Sequence, residues 1–285
     1  LPRDLSDVLH FFLPELTPEE GAVASSSATA AMPLAPTDGQ DRETPSVVAP
    51  RRGGASVLPI VAVPIGDADV LRAALTWNLA VEVARLGGRA AVVAPGFDDA
   101  SPLWPEPGVG PLGAELIPTP ADDLGQLYRV AIDAAVERAA HARDGGVVFV
   151  RVPPAWLRAP ADDGAGVLRW TLLLTSSHVH DLRETYAVGK LVLGAFDRAE
   201  VGVTVHGARS VSEAQNAFGR IARATRAHLG RDLVSYGLLV DDLHVYRAIV
   251  AQRPIGLAHP QSPAARALRD VARLVLDDAG KRGVD

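Results

Sequence analysis

The chain has 285 residues, with 28 Lys and Arg against 34 Asp and Glu, a net charge of −6 and no cysteine. That length suits one α/β domain with an appendage, and the missing cysteines exclude disulfides, iron–sulfur clusters and thiolate nucleophiles or ligands. The acidic balance argues against nucleic-acid partners, which need concentrated positive charge.

No apolar run reaches the roughly 20 residues of a bilayer span and no signal-peptide pattern opens the sequence, so a cytoplasmic protein without direct membrane insertion is expected. Only two of the basic residues are lysines, Lys190 and Lys281. No lysine is therefore available to any site built from the first 189 residues.

Three stretches separate by composition. Residues 1–13 hold a short apolar segment in which Leu5, Val8, Leu9 and Phe12 follow helical spacing, with Asp4 and Asp7 in the first turn. A helix of about ten residues is marginal alone and needs a surface to fold on. Across the first twenty residues one Arg faces five acidic side chains, which disfavours an anionic bilayer and favours a protein partner, or docking on the chain's own domain. Residues 14–56 are rich in Pro, Ser, Thr, Ala and Gly and read as a flexible, disordered tether. A single domain is expected over residues 57–285.

Within that domain, apolar runs and helical patterns alternate. Leu58–Val63 reads as a strand buried on both faces, followed by a loop and a helix over Val70–Gly87. Arg89–Pro95 is a strand, Gly96–Ala121 reads as loop, and Asp123–Arg143 as a helix. Strands follow at Gly145–Pro154 and Leu168–Ser177, then a helix ending at Phe196. Glu200–Gly207 is a strand, Ser210–Gly230 a helix and Leu233–Val240 the last strand. The closing helix, Ser262–Asp278, opens on a Ser-Pro cap. The predicted class is α/β, a mostly parallel sheet covered by helices on both faces.

The strand–loop–helix over Ile60–Leu86, with "NLA" at Asn78–Ala80, resembles the start of the MinD/ParA family of P-loop ATPases. The segment VTVHGARSVSEAQNAFGRIARATRAHLG is similar to a strand and helix of that family. The tail, LVSYGLLVDD through the "QRP" and "SPAA" phrases, resembles the closing segment of MinD and of FlhG-type flagellar-number regulators. The resemblance implies a P-loop NTPase fold and a nucleotide site, and it assigns positions to that site.

Those positions are nearly all altered. Where the family's loop reads G-K-G-G-x-G-K-T-T, this chain reads Gly66-Asp67-Ala68-Asp69-Val70-Leu71-Arg72-Ala73-Ala74. Asp67 stands at the signature lysine, Arg72 at the P-loop lysine and Ala73 at the magnesium threonine. Ala94 and Gly96 replace an Asp-x-Asp, Arg151 replaces the metal-binding Asp, and His206 replaces the adenine-contacting Asn. A P-loop turns backbone N–H groups onto phosphate and adds a lysine and a Mg²⁺ ligand. Acid in that loop repels a triphosphate.

The expectation is a pseudo-ATPase with no cofactor, no metal and no catalytic residue. It would act as a scaffold or regulator in positioning or assembling a flagellum, pilus or motility machine, recruiting a protein through Leu5, Val8, Leu9 and Phe12. A homodimer, or a heterodimer with an active paralogue, is compatible with the resemblance. Two rival readings stand beside it: an ATP-binding switch with a relocated or partner-completed site, and a binder of another small anion. His178 and His180 form an H-x-H pair near Asp181, expected to be a helix-cap cluster. A Ser176–His178–Asp181 relay is rejected on spacing. Asp162–Asp163 and Asp241–Asp242 read as solvated turns. Trp77 and Trp156 are either an exposed aromatic surface or packing in a vacated pocket.

Overall fold

A computed structural model describes Arg3 and residues 57–96, 101–158 and 163–282. Apart from Arg3, the segments expected at 1–13 and 14–56 lie outside the described residues, as do Leu5, Val8, Leu9 and Phe12. The described elements run β1 (Ile60–Pro64), α1 (Val70–Arg85), β2 (Arg89–Pro95), β3 (Gly108–Val109), β4 (Glu115–Thr119), α2 (Leu124–Ala139) and β5 (Gly146–Val152). They continue through β6 (Trp170–Thr175), α3 (Val179–Ala195), β7 (Glu200–Ala208), α4 (Val211–Leu229) and β8 (Val234–Val240). The end of the fold is α5 (Leu243–Val250), α6 (Ile255–Ala258) and α7 (Pro263–Arg282).

The strands form one eight-stranded sheet in the order β3-β4-β2-β5-β1-β6-β7-β8. β3 pairs antiparallel with β4, and every other pairing is parallel. Parallel strands need helical crossovers, which cover both faces and explain the continuous apolar runs. All seven residues of β5 are buried. α1 and α7 pack on each other, α2 lies against β2 and β5, and α3 and α4 against β6 and β7. Among the described residues no helix is long and apolar enough to cross a membrane.

Local chemistry sets the helix ends. Asp69, Asp123 and Ser210 accept from backbone N–H groups in the first turns of α1, α2 and α4, and Gly230 closes α4 in the left-handed conformation. Ser262 Oγ accepts from Ala265 N, as the Ser-Pro cap of α7 requires. Asn78, in the middle of α1, is buried. Its amide donates to Ala74 O and its oxygen accepts from Ile255 N, both at 2.7 Å, which ties α1 to α6.

Three expectations need correction. The stretch Gly96–Ala121 is not all loop: it contains β3 and β4, and β4 extends the parallel sheet beside β2. Pro118 within β4 and the glycines around β3 break the apolar signal that marks a strand. Residues 241–261, read only as a turn at Asp241–Asp242, hold two helices, α5 and α6. Asp242 is not a solvated turn residue: it is the N-cap of α5, accepting from His244 N at 2.9 Å and from Ala264 N at 3.3 Å.

Candidate functional site

Parallel strands place their C-terminal ends together, and there the loop Gly66–Asp69 joins β1 to α1. Its backbone is bonded to itself. Asp69 N donates to Gly66 O at 3.1 Å and Val70 N to Ala68 O at 3.0 Å. Asp69 then accepts from Arg72 N through its side chain and from Ala73 N through its carbonyl. These are the N–H groups that a helix N-terminus offers to an anion. One of them, Arg72 N, is already taken by the chain's own Asp69 carboxylate, and the others named go to backbone carbonyls.

Arg151 stands next to the loop because β5 pairs with β1 in register, Val63 opposite Arg151. Its side chain is only 4% exposed, and Nη2 donates to Gly66 O and to Asp67 Oδ1, each at 3.1 Å. The guanidinium lies 4.1 Å from the ring centroid of Trp104. Burial lowers the pKa of Arg151, opposed by the carboxylates of Asp67 and Asp69, and an arginine stays charged under such a shift. Asp67 is 88% exposed, so the pair joins a buried cation to a solvated anion. Arg151, Ala73, Ala94, Thr76, Trp77 and Trp104 line one small cleft.

On the other side of the loop, Arg72 bridges Asp69 at 3.1 Å and Glu184 of α3 at 3.3 Å. Ser176 Oγ donates directly to Asp181, and His178 N donates to Ser176 Oγ. No imidazole stands between the hydroxyl and the carboxylate, so there is no relay. Burial pushes the Asp181 carboxyl up, but the Ser176 hydrogen bond with Arg72, His206 and His178 brings it below its ordinary value.

His206, at the end of β7, is buried, and its Nε2 has no hydrogen-bond partner. Burial first, and the charge of Arg72 second, take its pKa from 6.5 to about 4 against the pull of Asp181 and Asp69. It lines a second small cleft with Leu71, Leu75, Leu239, Val245 and Tyr246.

The structure therefore brings Gly66, Asp67, Asp69, Arg72, Ala73, Ala94 and Arg151 together, with His206 reached through Arg72. Trp77 is packed rather than exposed. Sequence reasoning missed Trp104 and Glu184. Trp104 lies in a stretch read as loop, and Glu184 one helical turn past His180, a spacing visible only once α3 is placed. The α3 turn also brings ligand atoms of His180, Asp181 and Glu184 within 4.8 Å of one another, although Glu184 is engaged by Arg72 and Asp181 by Ser176.

The architecture matches solved structures over about three quarters of the chain. MinD cell division protein from Aquifex aeolicus superposes with a TM-score of 0.56 at 15% identity, covering 77% of this chain and 97% of that one. The chain carries the MinD fold. The septum site-determining protein MinD complexed with Mg-ADP from Pyrococcus horikoshii gives a TM-score of 0.53 at 14% identity over 79% of this chain and 98% of that one. MinD in the MinC:MinD cell division protein complex of Aquifex aeolicus gives 0.53 at 16% over 77% and 96%. Neither a protein-family model nor a curated protein matches the sequence. The likeness is thus one of fold, at 14–16% sequence identity.

Proposed function

We propose that this chain is a MinD-fold protein that works without nucleotide, as a scaffold or regulator in the positioning or assembly of a cell-surface or polar machine such as a flagellum, pilus or motility apparatus. The observation that carries the first half is the bond from Arg151 to Gly66 O. In a P-loop the backbone presents N–H groups to phosphate. Here a buried cation holds a loop carbonyl, and Asp69 occupies the helix N-terminus.

The donor set does not fit Mg-ATP. The position expected to hold the metal carboxylate carries a guanidinium, the position of the metal-binding hydroxyl is Ala73, and Arg72 is committed to Asp69 and Glu184. Phosphoryl transfer depends on the cations and metal ligands these residues replace. Steady-state phosphate release by the purified chain tests this half. No rate above a protein-free blank is expected, and turnover from ATP would refute it.

The second half rests on the fold and on the amphipathic pattern of Leu5, Val8, Leu9 and Phe12. One structural relative was solved in a MinC:MinD complex, so the fold can serve as one member of a protein–protein assembly. In our reading those four side chains recruit the partner. Affinity capture with the full chain and with a form lacking residues 1–20 tests this; equal recovery of the same partner from both would remove it.

A further inference from the structure

At the opposite end of the sheet from the Gly66 loop, the strands begin on a polar socket that the nucleotide-type face does not involve. Tyr236, near the start of β8, is fully buried, and its hydroxyl donates to Asp278 Oδ2 at 2.8 Å and accepts from Trp170 Nε1 at 3.1 Å. Gly202 on β7 makes room for the ring, since a Cβ there would lie 2.3 Å from Tyr236 Cε2. Asp278 also accepts from Lys281 Nζ at 2.8 Å, and Arg282 covers the Trp170 ring at 4.5 Å while pairing with Glu200.

Into this socket comes Arg3, far away in sequence. Its Nη2 donates to Asp278 Oδ2 at 2.7 Å, its Nε to Ser235 O at 2.9 Å, and its guanidinium lies 4.8 Å from the Tyr236 ring centroid. The Arg3 carbonyl also accepts from Ser235 N at 2.8 Å. β8 is the last strand of the sheet, so Ser235 would otherwise turn a bare backbone donor and acceptor outward. A single residue satisfies both. One main-chain bond to an edge strand, beside a side chain held in a pocket, is what the addition of a peptide to a sheet edge requires of its anchoring residue.

We infer that the start of β8, with Asp278 and Tyr236, is a docking site for an extended peptide segment carrying an arginine, and that its occupant is this chain's own segment around Arg3. The guanidinium is selected three ways: by charge against Asp278, by its fork reaching Asp278 and Ser235 O together, and by its flat face over Tyr236. A lysine offers one point charge and loses the second and third. The site thereby ties Arg3 to the domain. It does not depend on the loss of nucleotide chemistry at the other end of the sheet.

The test uses the full chain and a fluorescent peptide of residues 1–16, followed by anisotropy. In the wild-type chain the site is filled from within. In Arg3→Ala it is open, so the peptide should bind the variant at least tenfold more tightly than wild type. A peptide carrying Arg3→Ala should lose on the order of tenfold or more in affinity for that open chain, in keeping with a lost charge-assisted pair. Adding Asp278→Asn to the open chain should also weaken binding.

Equal binding to wild type and Arg3→Ala would overturn the inference, as would indifference to the arginine in the peptide. Hydrogen exchange gives a second reading without new side chains in the domain. The Ser235 amide should exchange at least tenfold faster in Arg3→Ala while Leu238 is unchanged, and an unchanged Ser235 rate would contradict the contact. A dimer present in wild type and lost in Arg3→Ala would show that a second copy supplies the segment, and would overturn the choice of occupant.

Discussion

Arg151 and Gly66 meet across 3.1 Å, a guanidinium from β5 bonded to a carbonyl of the loop that opens α1. One contact turns the loop's polarity around. Backbone oxygen faces the centre of the site, and the cation that satisfies it belongs to the protein.

This contact makes the loop's shape depend on Arg151 more than the stability of the fold does. Replacing a buried charge by an apolar side chain of similar volume is often close to neutral, because the charge no longer has to be desolvated. Arg151→Met should therefore change the urea midpoint by little, within about 1.5 kcal/mol, while the amides of residues 67–69 exchange faster. A variant with unchanged exchange in the loop would show that Arg151 does not hold it.

Asp69 is expected to act as a helix cap. Its carboxylate accepts from Arg72 N at 2.9 Å and pairs with the Arg72 guanidinium at 3.1 Å. Asp69→Ala should destabilise the chain by about 1 kcal/mol, and Asp69→Ser by less, since serine retains the cap. Urea denaturation of the three proteins reads the order. Equal losses from Ala and Ser would place the effect in the ion pair instead.

Asn78 bridges α1 to α6 with both ends of its amide, in a site closed to water. Asn78→Leu keeps the volume but leaves the Ile255 N–H without a partner. The expected loss is about 1–3 kcal/mol, measured by the same denaturation. A loss under about 0.5 kcal/mol would mean that α6 finds another acceptor.

His206 gives stability a pH dependence of known sign. Its folded pKa is about 4 against 6.5 ordinarily, so on acidification the unfolded chain takes the proton first. The neutral, buried imidazole contributes fully above about pH 6.5, and that contribution declines as pH falls toward 4, by up to about 1.4 kcal/mol per pH unit. The carboxylates held below their ordinary values, Asp181, Asp242 and Asp278, act in the same direction but at lower pH. Stability measured from pH 7 to pH 5 should therefore fall in wild type and fall less in His206→Gln. Parallel slopes would assign the effect elsewhere.

Most of the fold can be read from the sequence for one reason: a strand covered on both faces needs side chains such as those of Val147–Val150, and nothing interrupts them. Where a strand does tolerate interruption, as Pro118 does in β4, the run disappears and the strand is missed. α5 is hidden differently, since Leu243, Tyr246 and Val250 are exposed and its start depends on Asp242 bonding to residues two and twenty-two positions away.

At the site, the identity of each residue is visible in the sequence, but what each one touches is not. Nothing in the order of residues says that Arg151 finds Gly66 O and stacks on Trp104, or that Arg72 finds Glu184, because both depend on how β1, β5 and α3 align. The pairing of Arg3 with Asp278 spans almost the whole chain and carries no local signal at all.

We propose above all that this loop does not take a nucleotide. Calorimetric titration of the purified chain with Mg-ATP and with Mg-ADP tests it most directly. No saturable heat is expected with either up to millimolar concentrations, and a single site of micromolar affinity that is lost when Arg72 or Arg151 is changed would contradict the account.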